Sequence, residues 1–324
     1  MGRYRNYSDA LKARYGEKVY KVPLSLPVTC PNRDGTLGEG GCIFCGSIGA
    51  DYETAAAGLS ITAQLERSIA HIGPKYRAKQ FIAYFPNFTG TYADPADFRA
   101  WMEEAAGHPQ VVELDVSTRP DCVHEVYLDI LRDIAARYGV GVTVELGLQT
   151  SNPRTLRLLG RGHTAAEFID AALRIGRYGF GLCAHLIADL PWDDRTDAAE
   201  TARLVSVLPV TQVKFHSLYI VKGTKLAAMA EAGEVRLLPM EEYVERVLLM
   251  LSLLRADIAV QRIVGRASGP RVLAVNGGEP WWDVKKRIEQ ELILRDLFQG
   301  CRCDYMDGKA VRRWTAAPGT AGKA

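Results

Sequence analysis

Two hydrophobic periods alternate along the chain. Short apolar runs occur at 81–85 (FIAYF), 111–117 (VVELDVS), 142–148 (VTVELGL), 182–188 (LCAHLIA) and 211–216 (TQVKFH), with a shorter one from Leu24 to Thr29. Their length and β-branched content predict strands. Between them, apolar residues recur at helical spacing. In 60–72 they are Ile61, Leu65, Ile69 and Ile72 behind Ser60 as N-cap, and in 94–106 they are Phe98, Trp101, Met102 and Ala105 behind Asp94-Pro95. Further stripes run over 123–138, stopping at Gly139, and over 164–178, where Thr164 and Glu167 fit a capping box and Gly179 a C′ residue. Helices are also predicted at 196–207 and 240–255. Strand and helix thus alternate about six times. This predicts an α/β chain with a parallel sheet and outer helices: an incomplete, (β/α)6 TIM-type barrel followed by a C-terminal α/β extension. The boundaries read as a core over 1–256 with an N-terminal lead-in, an extension over 257–310 packed on the barrel, and a flexible tail over 311–324. In such sheets the chemistry sits in the loops at the carboxyl ends of the strands.

Composition narrows the class. The chain has 324 residues, 48% of them hydrophobic, and a formal net charge of +2, so no overall field demands a polyanionic partner. Basic residues cluster locally at Arg3–Lys21, at Lys75–Lys79 and at Lys285–Arg287, where solvated faces are the ordinary reading and nucleic-acid contact the alternative. The start, MGRYRNYSDA, has no apolar signal region and no bilayer-length apolar run follows, so a soluble, cytoplasmic chain without a membrane partner is expected. Seven cysteines, an odd number in a long chain of this kind, point to thiols used as ligands in a reducing compartment.

The stretch CPNRDGTLGEGGCIFC, after the first strand, carries Cys30, Cys42 and Cys45. Thiolates hold Fe–S clusters, zinc or copper. A closed zinc site needs a fourth ligand, and the nearest histidine, His71, falls in a helix pattern. A [4Fe–4S] cluster on three cysteines leaves one iron open to a ligand, and glycines at 35, 38, 40 and 41 would let the backbone wrap it closely.

This loop resembles that of the radical S-adenosylmethionine (SAM) superfamily. The commonest spacing there has three residues between the first two cysteines, whereas here there are eleven. TCPNRDGTLGEGGCIFC is similar to the loop of YhcC/YtqA-type radical SAM proteins, relatives of the catalytic subunit of elongator. STRPDCV (117–123), ELGLQT (145–150), RGHT (161–164), AHLIADLP (184–191) and VKFHSLYIVKGT (213–224) extend the resemblance in order along the chain. It implies a [4Fe–4S] cluster on Cys30, Cys42 and Cys45, S-adenosyl-L-methionine on its open iron, and a cytosolic flavodoxin- or ferredoxin-like electron donor. SAM would be cleaved to a 5′-deoxyadenosyl radical that abstracts a substrate hydrogen.

Other residues carry two readings each. Phe44 is an adenine contact or a core aromatic. Glu145, costly to bury alone, pairs with the SAM ammonium or with a cation of the chain. Gln149, Thr150 and Ser151 reach a ligand, or TSNP caps a short helix. Arg119 forks onto a carboxylate of SAM or substrate, and Asp121 assists or caps the 123–138 helix. His163, with Arg161, lies near SAM or merely before a helix. Lys214, His216 and Lys222 meet substrate anions or water. YFPNFTGTY lacks the Gly-Gly-Glu-like stretch of many relatives, and LPWDD has Trp192 where related enzymes often have glycine. Cys122 and Cys183 read as buried apolar residues. Cys301 and Cys303 carry no clear metal pattern. Trp281 and Trp282, beside Lys285, Lys286 and Arg287, stack on bases or fasten the extension. No catalytic acid or base is singled out.

The substrate implied by the resemblance is tRNA, at the wobble uridine. Without the acetyltransferase domain of elongator's subunit, conversion of carboxymethylaminomethyl-uridine to aminomethyl-uridine is the expected step, and a basic rim around the barrel mouth should accompany it. A radical SAM enzyme acting on a small molecule or peptide is one alternative. A non-catalytic, metal- or Fe–S-bearing RNA-binding protein is another.

Overall fold

The computed structural model of the protein describes residues 2–46, 58–266 and 269–315. Seven parallel strands form one sheet in the order β1 (Val19–Pro23), β2 (Gln80–Phe85), β3 (Val111–Thr118), β4 (Gly141–Gln149), β5 (Gly181–Ile187), β6 (Gln212–His216) and β8 (Ala259–Arg262). A two-stranded antiparallel ribbon, β7 (Ile220–Val221) with β9 (Val272–Ala274), stands apart. The sheet is curled into a half-barrel. On a flat sheet β1 and β8 would stand six strand spacings, about 29 Å, apart, yet Lys21 on β1 donates to Gln261 on β8 at 3.1 Å. The incomplete α/β barrel expected from the alternation is therefore present, with its seventh strand taken from the extension.

The crossovers are helices α2 (Ile61–Tyr76), α3 (Pro95–Ala106), α4 (Glu125–Tyr138), α6 (Ala165–Arg177), α7 (Arg195–Val207) and α9 (Met240–Leu253). Caps set their starts: Ser60 and Asp94 accept from the backbone of their first turns, and Thr164 with Glu167 forms the reciprocal box. Asp121 does not cap α4. His124 does, accepting from Val126 N at 3.2 Å. Among the described residues, helices outside the periodic pattern include α1 (Tyr7–Tyr15), α8 (Lys225–Glu231) and α10 (Trp281–Leu294), together with the short α5 (Pro153–Leu158), which Asn152 of TSNP caps. The open side is covered by α1, which packs against both β1 and β8, and Val260 N donates to Arg5 O at 2.8 Å.

The first strand lies earlier than Leu24–Thr29. After Leu24 N donates to Tyr84 O, the amide side chain of Gln64 captures both backbone groups of Ser25, at 2.7 and 3.0 Å. That bond from α2 pulls the chain out of the sheet and into the cysteine loop. The expected tail begins at 311, where Arg312–Thr315 forms a short helix, α11; residues 316–324 lie outside the described residues. Among the described residues no helix is long and apolar enough to cross a membrane.

Candidate active site

The inner face of the half-barrel is polar. In strands, alternate residues share a face: Glu113, Asp115 and Ser117 on β3, Thr143, Glu145 and Gly147 on β4, Cys183 and His185 on β5, and Gln212, Lys214 and His216 on β6. At their centre Glu145, fully buried, receives Lys214 Nζ at 2.6 Å, Lys21 Nζ at 2.7 Å, His185 Nε2 and Gln261 Nε2 at 2.8 Å, and Ser117 Oγ at 3.2 Å. Of the two readings for Glu145, the structure realises the ion pair within the chain, and the two lysines hold its carboxyl well below the usual range against the burial. Lys214, read from sequence as a solvated lysine, is buried here. Lys21 also pairs with Asp115, whose carboxyl is pushed up to about 8 by burial and by the neighbouring Glu145. The two ammonium groups flank the ring of Tyr84 at 4.5 and 4.7 Å. Burial and Lys214 bring His185 down to about 4, so it is neutral at pH 7.

Above this floor the three cysteines line one cavity of about 150 Å³, together with Arg33, Phe44, Phe88, Thr89, Arg119, Gln149 and Arg161. Three N–H donors point at the sulfurs: Asn32 Nδ2 and Arg161 Nη1 at Cys42 Sγ (3.5 and 3.2 Å), and Arg33 Nη1 at Cys45 Sγ (3.4 Å). Burial, reinforced by the nearby Cys42 thiol, pushes the Cys45 thiol up. The loop is pinned by Ile43, whose N–H donates to Leu159 O at 3.0 Å and whose carbonyl accepts from Leu226 N at 2.8 Å. Its glycines serve the turn more than the cavity. A Cβ on Gly38 would lie 2.5 Å from Asn32 Oδ1 and would displace that side chain, and of the loop's glycines only Gly41, at φ +88°, lines the cavity.

The donor set fits an Fe–S cluster better than a single ion. Tetrahedral zinc at 2.3 Å from each sulfur requires sulfurs about 3.8 Å apart. Among the described residues, the grouping whose ligand atoms all lie within 4.8 Å is Glu145, Cys183 and His185, and the three loop cysteines do not form such a grouping. The compact grouping is itself a poor cation site, because two lysines already neutralise Glu145. Two buried polar atoms on the cysteine cavity, Thr89 Oγ1 and Arg119 Nη1, have no partner among the described residues. Buried orphans of this kind mark the place of a polar ligand.

The remaining candidates divide. Phe44 and Gln149 line both the cysteine cavity and the larger one beyond it. Gln149 and Phe88 are held at positive φ, +71° and +49°, a strained backbone at the cavity wall. Arg119 turns two nitrogens onto Asp121 at 2.9 and 2.7 Å, and its Nη1 has no partner among the described residues. His163 does not line the cavity; it accepts from Arg161 Nε at 3.1 Å, and burial with Arg161 lowers it to about 3. Trp192 packs into a satellite apolar cluster beside the loop after β5, whose carbonyls are held by buried Arg246. Asn32 and Arg33 escaped the sequence reading, although their place between the first two cysteines was a signal.

The cysteine cavity opens into a mouth of about 1190 Å³, sharing with it Phe44, Cys45, Pro86, Phe88, Gln149 and His185. The mouth is lined by Lys18, Lys21, Lys214, Lys222, Arg262, Arg266, Arg271 and Lys285, of which Lys285 pairs with Glu289 at 3.1 Å, and by no aspartate or glutamate among the described residues.

Residues 210–293 match the Radical_SAM C-terminal domain family. The chain is 33% identical over 302 residues to the uncharacterized protein YtqA of Bacillus subtilis, covering 92% of each chain. It is 35% identical over 286 residues to YhcC of Escherichia coli K12, covering 88% of this chain and 91% of that one. A tRNA uridine(34) acetyltransferase of Methanocaldococcus jannaschii is 27% identical over 207 residues, 62% of this chain and 36% of that protein. Among solved structures, the archaeal Methanocaldococcus infernus Elp3 superposes with a TM-score of 0.61 at 16% identity, over 93% of this chain and 68% of that one, a likeness of fold.

Proposed function

Because the chain belongs to the radical SAM superfamily, in the group of YtqA and YhcC, we propose that it is a radical SAM enzyme that modifies the side chain of the tRNA wobble uridine. The substrate is carboxymethylaminomethyl-uridine and the product aminomethyl-uridine: removal of a carboxymethyl methylene hydrogen and of one further electron, with SAM as the oxidant, would leave an imine that water hydrolyses to the amine and a two-carbon oxoacid. The observation that carries the choice of substrate is the mouth: basic, free of carboxylates among the described residues, and continuous with the three-cysteine cavity. Such a lining favours a polyanion. A relative named as a tRNA uridine(34) acetyltransferase supports the same class.

When bound, the [4Fe–4S] cluster and SAM together supply the 5′-deoxyadenosyl radical. The chain's part is to hold and shield. Cys30, Cys42 and Cys45 would hold the cluster, and Asn32, Arg33 and Arg161 direct N–H groups at the sulfurs of Cys42 and Cys45. Arg119 Nη1 and Thr89 Oγ1 receive polar groups of SAM, and Phe44 and Phe88 cover its apolar surface. The floor of Lys21, Lys214 and Glu145 is already satisfied internally, so it shapes the site without competing for ligand. The electron comes from a flavodoxin- or ferredoxin-like protein.

Anaerobic reconstitution with iron and sulfide, followed by dithionite and SAM, should yield 5′-deoxyadenosine, and Cys42→Ala should abolish it. In tRNA from a deletion strain, nucleoside mass spectrometry should show carboxymethylaminomethyl-uridine accumulating at the expense of aminomethyl-uridine. Unchanged wobble uridines would exclude tRNA as substrate while leaving SAM cleavage standing.

A further inference from the structure

The basic lip of the mouth is built from three separate pieces of chain. In the β7–β9 ribbon, Lys222 N donates to Arg271 O at 2.8 Å, so these two residues sit side by side on opposite strands. Both are exposed, both line the mouth, and neither has an acidic partner among the described residues. The loop after β8 brings Arg266, whose guanidinium lies 4.2 Å from the centre of the Trp281 ring at the start of α10. Trp282 meets Trp281 edge to face at 5.8 Å and is 58% exposed. Trp281 packs partly on the core, so the platform is anchored, and Lys285 lies one turn further along.

An exposed indole costs solvation with no gain in packing, and two unpaired cations on one ribbon repel one another. A partner that supplies both phosphates and flat aromatic faces relieves both costs. We propose that this lip is a docking surface for single-stranded RNA next to the target nucleotide: Lys222 and Arg271 take backbone phosphates, and the Arg266–Trp281–Trp282 platform stacks a flanking base. The inference rests on the tRNA reading above and adds to it the part of the chain that grips the strand. Direct coupling to the reacting centre comes through the mouth, which reaches from Trp281 and Arg271 to Cys45.

The test measures binding of unmodified tRNA and of its anticodon stem-loop by fluorescence anisotropy, over a salt series, with the reconstituted protein. Loss of one stacking contact corresponds to about 5- to 150-fold weaker binding, so Trp282→Ala should weaken affinity by at least fivefold. Lys222→Glu with Arg271→Glu should weaken it further, and Lys222→Ala with Arg271→Ala should flatten the logarithmic salt slope by about 1 to 2. These three side chains are exposed, so their loss should leave thermal unfolding unchanged. Trp281→Ala, more deeply packed, is read only alongside them. If the wild type binds tRNA and all of these variants bind equally well, the lip is not the docking surface. If the wild type binds no tRNA at any salt, the tRNA reading itself falls.

Discussion

The carboxylate of Glu145 organises the barrel interior, and Glu145→Gln tests that claim. The substitution keeps the shape and removes the charge. Lys214 loses its 2.6 Å partner and retains only Tyr84 Oη at 3.0 Å, while Lys21 keeps Asp115. Breaking a buried ion pair from one side costs about 3–5 kcal/mol. Part is recovered, because Asp115 stands at about 8 through burial and the repulsion of Glu145. With that repulsion gone, Asp115 ionises more readily beside Lys21, which places the cost near the lower end, about 3 kcal/mol. For 324 residues, an unfolding entropy of about 2.1 cal/mol/K per residue gives roughly 0.7 kcal/mol/K, so the melting temperature should fall by about 4 °C. Calorimetry of the cluster-free protein at pH 7 reads this directly. Lys214→Met in the Glu145→Gln background should recover at least about 1 kcal/mol, since it removes the stranded charge. A Glu145→Gln protein within about 1 °C of wild type, or strictly additive effects in the double variant, would refute the reasoning.

Three further outcomes are expected. Arg161→Met removes the 3.2 Å N–H contact and a positive charge from Cys42 Sγ, so the reduced, more negative cluster is less stabilised and the potential moves negative in an EPR-monitored redox titration; an unchanged potential contradicts the contact. Gly147→Ala places a Cβ 2.8 Å from Gln149 Nε2 and 2.9 Å from Arg161 Nη2, so it should displace Arg161 and shift the potential the same way, with no added shift in the Arg161→Met background. His163 is buried and neutral, lowered to about 3, so the unfolded chain binds its proton first as pH falls below about 6.5. Its contribution to stability is present above that pH and is lost on acidification at up to about 1.4 kcal/mol per pH unit. His163→Asn should flatten the acid limb of a urea-midpoint profile between pH 6.5 and 4 by about that slope, and parallel limbs would contradict it.

Period and caps in the sequence sufficed for the architecture. Each predicted strand from 81 to 216 and each helix with a polar N-cap is present within a few residues, because spacing and capping are local properties. The three cysteines were legible for the same reason: thiols in one loop are near one another in any fold. Helix α1 has no strong apolar stripe, and its role of covering the gap between β1 and β8 is defined only once both edges exist. The first strand was misplaced because its end is set by Gln64, some forty residues away, and not by its own composition.

The site beyond the cysteines divides along the same line. The i, i+2 spacing of Glu113, Asp115 and Ser117, of Thr143 and Glu145, and of Gln212, Lys214 and His216 already marks one polar face per strand. Which of those groups meet depends on how tightly the sheet curls, and curling is a property of all seven strands together. Hence Glu145 was identified as a carboxylate in need of a cation, but its partners on β1 and β6 could not be named. Likewise Arg119 and Asp121 were both noticed, and only the folded loop turns one onto the other. The basic mouth is the furthest case. Lys18, Lys222, Arg266 and Lys285 lie far apart in a chain of near-neutral charge, and tertiary structure alone gathers them around one opening while keeping carboxylates out of it.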